Sequence, residues 1–282
     1  MVPPSLVYVG RLLTETWRTW NAHNTPRIGA ALAYYTVFSM APILVIAIAV
    51  AGMVFGADAA RAEVSVQLQG LLGEAGAKTI EEVIKNADRG HTGIVATVIG
   101  AVTLLVGASS IFGELQGALN LIWSAPPARP RGLLSMLQNR FLSFAMVLVI
   151  GFLLLVSLVV SATLSGLQGT LGGLIASPAL AQVLNVVVSV LVTTSLFALI
   201  YKVLPDVQIA WHDVGVGAFV TSLLFALGKQ LIGLYLGNSA LASAYGAAGS
   251  FAVLLVWIYY SAQLILLGAE FTHVYANSRE KK

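Results

Sequence analysis

Hydrophobic residues along this chain come in unbroken blocks, not at alternating positions. Ile94 to Phe112 is nineteen residues without a charge, enough at about 1.5 Å per residue to cross a hydrocarbon core of roughly 30 Å. Ile28 to Phe55 is likewise uncharged, Arg140 is followed by sixty-one residues with no Asp, Glu, Lys, Arg or His, and Lys229 by forty. A closed β-barrel would show short alternating segments instead, so the blocks predict helices whose backbone groups are satisfied internally. The expected fold is an all-α integral membrane protein, one domain over 1–282, with six transmembrane helices at about 28–55, 92–113, 141–164, 180–204, 214–236 and 251–271.

Two stretches follow a different pattern. Leu6, Leu13, Trp17 and Trp20 recur at helical spacing with Arg11, Glu15 and Arg18 on other faces, so 5–21 is expected to be an amphipathic helix lying at headgroup level. Residues 57–91 carry six acids and four basic residues among spaced apolar positions. They predict two short amphipathic helices in the first external loop, divided near Gly73 and Gly76. Within the first span Pro42 removes a backbone bond and should kink the helix, with Tyr34, Tyr35, Thr36 and Ser39 in the preceding turns. That segment either lines a cavity and gates it at Pro42, or simply repairs its hydrogen bonding against neighbouring helices. Gly113 with Gly117, and Gly233 with Gly237, stand four residues apart and predict close helix packing.

Composition agrees with the pattern: 58% of residues are hydrophobic and 10% charged, against about a quarter charged in a soluble domain. Six spans place both termini on one side. Ten Lys and Arg fall on that side (Arg11, Arg18, Arg27, Arg129, Arg131, Arg140, Lys202, Arg279, Lys281, Lys282) and four in the first external loop, so the positive-inside rule makes both termini cytoplasmic. No removable signal peptide is read, and the first apolar run is expected to stay as an anchor. The absence of cysteine excludes disulfides, thiolate metal sites and cysteine nucleophiles.

Candidate chemistry rests on charge in or near the bilayer. Glu114 ends the second span and Gln116 and Asn120 continue its polar character; Glu270 ends the sixth; Lys202 and Asp206 flank Pro205. These residues either surround a cytoplasm-facing polar cavity or are wetted at the interface. Lys229 lies in the outer half of the fifth span, where it either snorkels outward or faces the bundle and binds an anion. Tyr34, Tyr35, Lys202 and Asp206 are secondary candidates. The histidines, His23, His91, His212 and His273, show no metal-ligand spacing, and there is no phosphate-cradling loop, nucleophile elbow or basic-aromatic surface for nucleic acid. No catalytic residue, metal, cofactor or nucleic-acid partner is expected.

Four ordered stretches resemble the YihY/BrkB family of bacterial inner-membrane proteins: Ala31-Leu-Ala-Tyr-Tyr-Thr-Val-Phe-Ser-Met-Ala-Pro42; Gly107-Ala-Ser-Ser-Ile-Phe-Gly-Glu-Leu-Gln-Gly-Ala-Leu-Asn-Leu-Ile-Trp123; Tyr201-Lys-Val-Leu-Pro205; and Tyr245-Gly-Ala-Ala-Gly-Ser250 with Trp257 to Gln263 and Gly268-Ala-Glu270. The resemblance implies six helices with cytoplasmic termini. Its old label, ribonuclease BN, finds no chemistry in this sequence. Roles suggested for relatives are serum resistance, export of lipid-A-type lipids and sodium/proton exchange. The expectation is a translocator of a lipid or other anionic amphiphile with membrane lipids as partners; the alternatives are a sodium/proton exchanger titrating Glu114 or Glu270, and a non-transporting scaffold in envelope integrity.

Overall fold

A computed structural model describes residues 4–37, 110–126, 178–238 and 249–280, with single positions between 52 and 65. The third span, the loop at 127–140, Pro42, and nearly all of 57–91 and of the second span up to 109 lie outside the described residues. Among the described residues all regular structure is helical: α1 (Pro4–Ala22), α2 (25–37), α3 (110–122), α4 (Pro178–Val203), α5 (Trp211–Asn238) and α6 (Gly249–Glu280). Val186–Val203, Trp211–Tyr235 and Phe251–Arg279 are long and apolar enough to cross a membrane.

Local chemistry sets the boundaries. Asn24 ends α1 with φ 53°, a left-handed conformation its short amide tolerates better than most side chains. The Asn24 carbonyl then accepts the amides of Arg27 at 2.9 Å and Ile28 at 3.4 Å. Pro26 falls in the first turn of α2, where its missing N–H costs nothing. The helix therefore starts at Thr25, before the expected Ile28. α3 runs nine residues past the expected end at Gly113 and stops where Ala125 donates to the Asn120 carbonyl at 2.8 Å. α6 likewise continues from Phe271 to Glu280. Hydropathy marks where lipid ends, whereas the helix goes on because its last turns pack on α1 and α5.

α5 and α6 run antiparallel and meet through a reciprocal device. Thr221 on α5 and Thr272 on α6 each donate to the carbonyl four residues back, Gly217 at 2.7 Å and Gly268 at 2.6 Å. Each threonine also sits over the other helix's glycine: a Cβ on Gly217 would lie 1.9 Å from Thr272 Oγ1, and one on Gly268 1.9 Å from Thr221 Oγ1. Only glycine allows this approach, the small-residue packing favoured where lipid offers no hydrophobic drive. Gly29 under Gln263, at 2.0 Å, and Gly228 under Leu264, at 2.5 Å, are likewise too close for a Cβ. At Gly113, Gly117 and Gly233, where close packing is expected, nothing among the described residues lies within 4 Å of a Cβ. Four-residue spacing marks a helix stripe without saying which stripe meets a neighbour.

The core lies at one end of the bundle, where Leu119 and Ile122 of α3, Tyr201 of α4, Val214 of α5 and Leu266 of α6 are wholly buried. Tyr201 carries its hydroxyl into that core and satisfies it, donating to the Ile265 carbonyl at 2.7 Å with Thr221 Oγ1 at 3.2 Å. A buried hydroxyl without such partners would cost about 1–3 kcal/mol.

Candidate functional site

The ends of α1, α3 and α4, the starts of α2 and α5, and the second half of α6 converge on this same end, and they carry two polar clusters. The first fixes the 204–210 connection between α4 and α5. Asp206 receives Gln116 Nε2 at 3.3 Å on one carboxylate oxygen and Asn120 Nδ2 at 2.9 Å on the other, while its backbone N–H donates to Asn120 Oδ1 at 2.7 Å. Lys202 donates to the Ile209 carbonyl and lies 5.4 Å over the Trp211 ring. Gln116, Asn120, Lys202 and Asp206 thus hold a loop against α3. Glu114, half-buried on the same helix, makes no hydrogen bond or ion pair among the described residues, so the amides that continue its polarity in sequence serve Asp206.

The second cluster is buried. Glu270 is 0% exposed, against the wetted-interface alternative. Burial follows from packing: Gly29 lets α2 close on α6, where Gln263 Nε2 reaches the Pro26 carbonyl at 3.4 Å. One carboxylate oxygen of Glu270 contacts His23 Nδ1 at 2.8 Å and accepts from Thr25 Oγ1 at 3.3 Å. His273, one turn on, has the Trp123 ring edge-on at 4.9 Å and Asn277 Nδ2 at 2.9 Å from its Nε2. Tyr8 and Ser278, with hydroxyls 2.8 Å apart, tie the other end of α1 to α6. At the start of α5 Asp213 binds Arg279 at 2.7 Å.

Lys229 stands apart. It is exposed on α5, eighteen residues from Trp211, or about 27 Å along the axis. Exposed Leu227 and Leu231 lie two residues to either side. Tyr34 and Tyr35 are exposed on α2 with their rings 5.6 Å apart, edge to face.

Comparison with known proteins assigns the chain. The family model described as "Virulence factor BrkB" matches residues 16–282. The chain belongs to the BrkB family. This BrkB-family chain is 30% identical over 237 residues to the UPF0761 membrane protein YihY of Escherichia coli O1:K1 / APEC, covering 78% of this chain and 74% of that protein. The protein of the same description from Shigella boydii serotype 18 is 29% identical over the same shares. No solved structure matches the chain. Family membership and the apolar helices make it a membrane protein with bacterial relatives.

In this BrkB-family fold the stretches that carried the resemblance meet: Asn120 binds the residue after Pro205, Trp123 caps His273, and Gly268 takes Thr221 beside Tyr201. Sequence reading missed His23 and Thr25 as partners of Glu270, and His273 as its neighbour on α6. His273, three residues beyond Glu270, shares its helix face and was within reach of inspection. The His23 contact spans 247 residues and has no local signal.

Proposed function

We propose that this BrkB-family chain is a bacterial inner-membrane transporter that moves an anionic amphiphile, a lipid above all, between the leaflets. Six spans with cytoplasmic termini, and α1 at the inner headgroup level, are part of this reading; catalysis and nucleic-acid binding are not. The observation that carries it is Lys229, an exposed ammonium on an apolar helix that makes no hydrogen bond or ion pair among the described residues. A lone cation costs about 2.5–3.5 kcal/mol at the centre of a spanning helix and less in the outer half, where Lys229 lies, and intramembrane cations mark substrate paths. An anionic headgroup passing Lys229 supplies the missing charge. Glu114, half-buried and unpaired among the described residues, stands on this reading near the cytoplasmic end of the path.

The test is reconstitution in proteoliposomes with fluorescent lipids, scored by a membrane-impermeant quencher. Anionic headgroups are expected to cross faster than zwitterionic ones. Lys229→Ala should slow them roughly tenfold or more, the loss of a charge-assisted contact worth about 1.5–3 kcal/mol, and Lys229→Arg should be milder. Full activity in both variants removes Lys229 from the path. Collapse of an imposed pH gradient on adding sodium, without lipid movement, would replace the proposal with an exchanger; neither activity would leave a scaffold.

A further inference from the structure

The junction of α1, α2 and α6 has a charge-balance problem that its own residues can solve. Glu270 is fully buried, and no Lys or Arg contacts it among the described residues. Its Oε1 takes both contacts, from His23 and Thr25, while Oε2 is buried with no hydrogen-bond partner among the described residues. Asn277 offers its N–H to Nε2 of His273, so the neutral His273 ring carries its proton on Nδ1. That Nδ1 is also buried without a partner. One turn of α6 thus sets a donor lacking an acceptor beside an acceptor lacking a donor.

With His23 neutral and Glu270 ionised, the site holds one buried negative charge and no cation, an arrangement that costs several kcal/mol. One added proton cancels it. The proton rests on His23 as an imidazolium facing a carboxylate, or passes to Glu270 as the N–H bond breaks and an O–H bond forms, leaving imidazole and carboxylic acid. Both forms are neutral overall and need no further reactant. The other faces offer no competing charge among the described residues: α2 presents the Thr25 hydroxyl, α3 the Trp123 ring against His273, and Asp213 of α5 is held by Arg279. His23 is 23% exposed and Glu270 0%, so His23 is the accessible end of the pair. His, Asp and Glu are not grouped as a metal site among the described residues.

We propose that His23, Glu270 and His273 form a proton-binding site, loaded through His23, at the point where α1 is fastened to α6. The inference does not depend on which species the protein transports. It is tested on the full-length protein in nanodiscs of zwitterionic lipid, by infrared difference spectroscopy and by proton uptake on stepping between about pH 8 and about pH 5, the range histidine covers. The wild type is expected to show a Glu270 band that changes with the step, a protonated-carboxyl stretch where the proton passes to Glu270 or a shifted carboxylate stretch where it rests on His23. Glu270→Gln should lose that band and take up about one proton fewer per chain. Glu270→Asp keeps a carboxyl at shorter reach and should retain the band at a shifted position, which decides the matter if the Gln variant fails to fold. A spectrum unchanged in the Asp variant, or full uptake in a folded Gln variant, overturns the proposal. Failure of the vesicle assay on Lys229 would leave it untouched.

Discussion

Gly268→Ala is the severest small change this fold predicts. The added Cβ would lie 1.9 Å from Thr221 Oγ1, 2.8 Å from Thr221 Cβ and 2.7 Å from the Tyr201 hydroxyl, where ordinary contact begins near 3.4 Å. No side-chain rotation answers this, because Thr221 is tied to the Gly217 carbonyl and Tyr201 to the Ile265 carbonyl. α5 and α6 must instead separate by about 1.5 Å at the crossing, which also lifts Thr272 off Gly217. Overpacking of this kind costs about 1–3 kcal/mol. Loosening the two hydrogen bonds of Tyr201 adds about 0.5–1.5 kcal/mol each, so a total of about 2–6 kcal/mol is expected. The assay is thermal unfolding in detergent, with Gly268→Ala, Thr221→Gly and the pair compared in a double-mutant cycle. Thr221→Gly removes both the Oγ1 and the Cβ in the way, so the pair should recover at least about 1 kcal/mol relative to the sum of the single changes. Wild-type unfolding of Gly268→Ala, or strict additivity in the cycle, would refute the reciprocal crossing.

Other consequences are smaller or local. Asn120→Ala removes both contacts to Asp206 and should raise amide hydrogen exchange across 204–210 roughly tenfold, about 1.4 kcal/mol, while leaving α5 protected; unchanged exchange there would mean the clamp holds nothing. A reporter fused after Lys282 should be active only in the cytoplasm, and external activity would reverse the proposed topology.

α4 and α5 were legible in the sequence because the bilayer permits so little else: both run within three residues of the expected bounds at both ends. α1 was legible too, since its tryptophans and arginines fall on separate faces of a helix. The ends of α3 and α6 were not, because packing extends them beyond the apolar run. The candidate site was half legible. Charge scarcity pointed to Glu114, Glu270 and Lys229, but not to their circumstances: Glu270 found a histidine from the far end of the chain, and Gln116 and Asn120 turned to a loop eighty-six or more residues away. Glycine spacing did not single out the tight crossing of α5 and α6. Gly217 and Gly268 matter through threonines on the opposite helix, and no periodicity within one helix encodes that partner.

The account rests most heavily on Lys229 lying beside a hydrated headgroup path instead of among acyl chains, and a chain without cysteine lets that be measured directly. Lys229→Cys, Leu227→Cys and Leu231→Cys would each be challenged in intact inverted and right-side-out vesicles with a membrane-impermeant maleimide, which needs a thiolate and therefore water. The account predicts rapid labelling at 229, from the outer side, with both leucine positions slow. Equal inertness at all three would place the Lys229 side chain in lipid and contradict it.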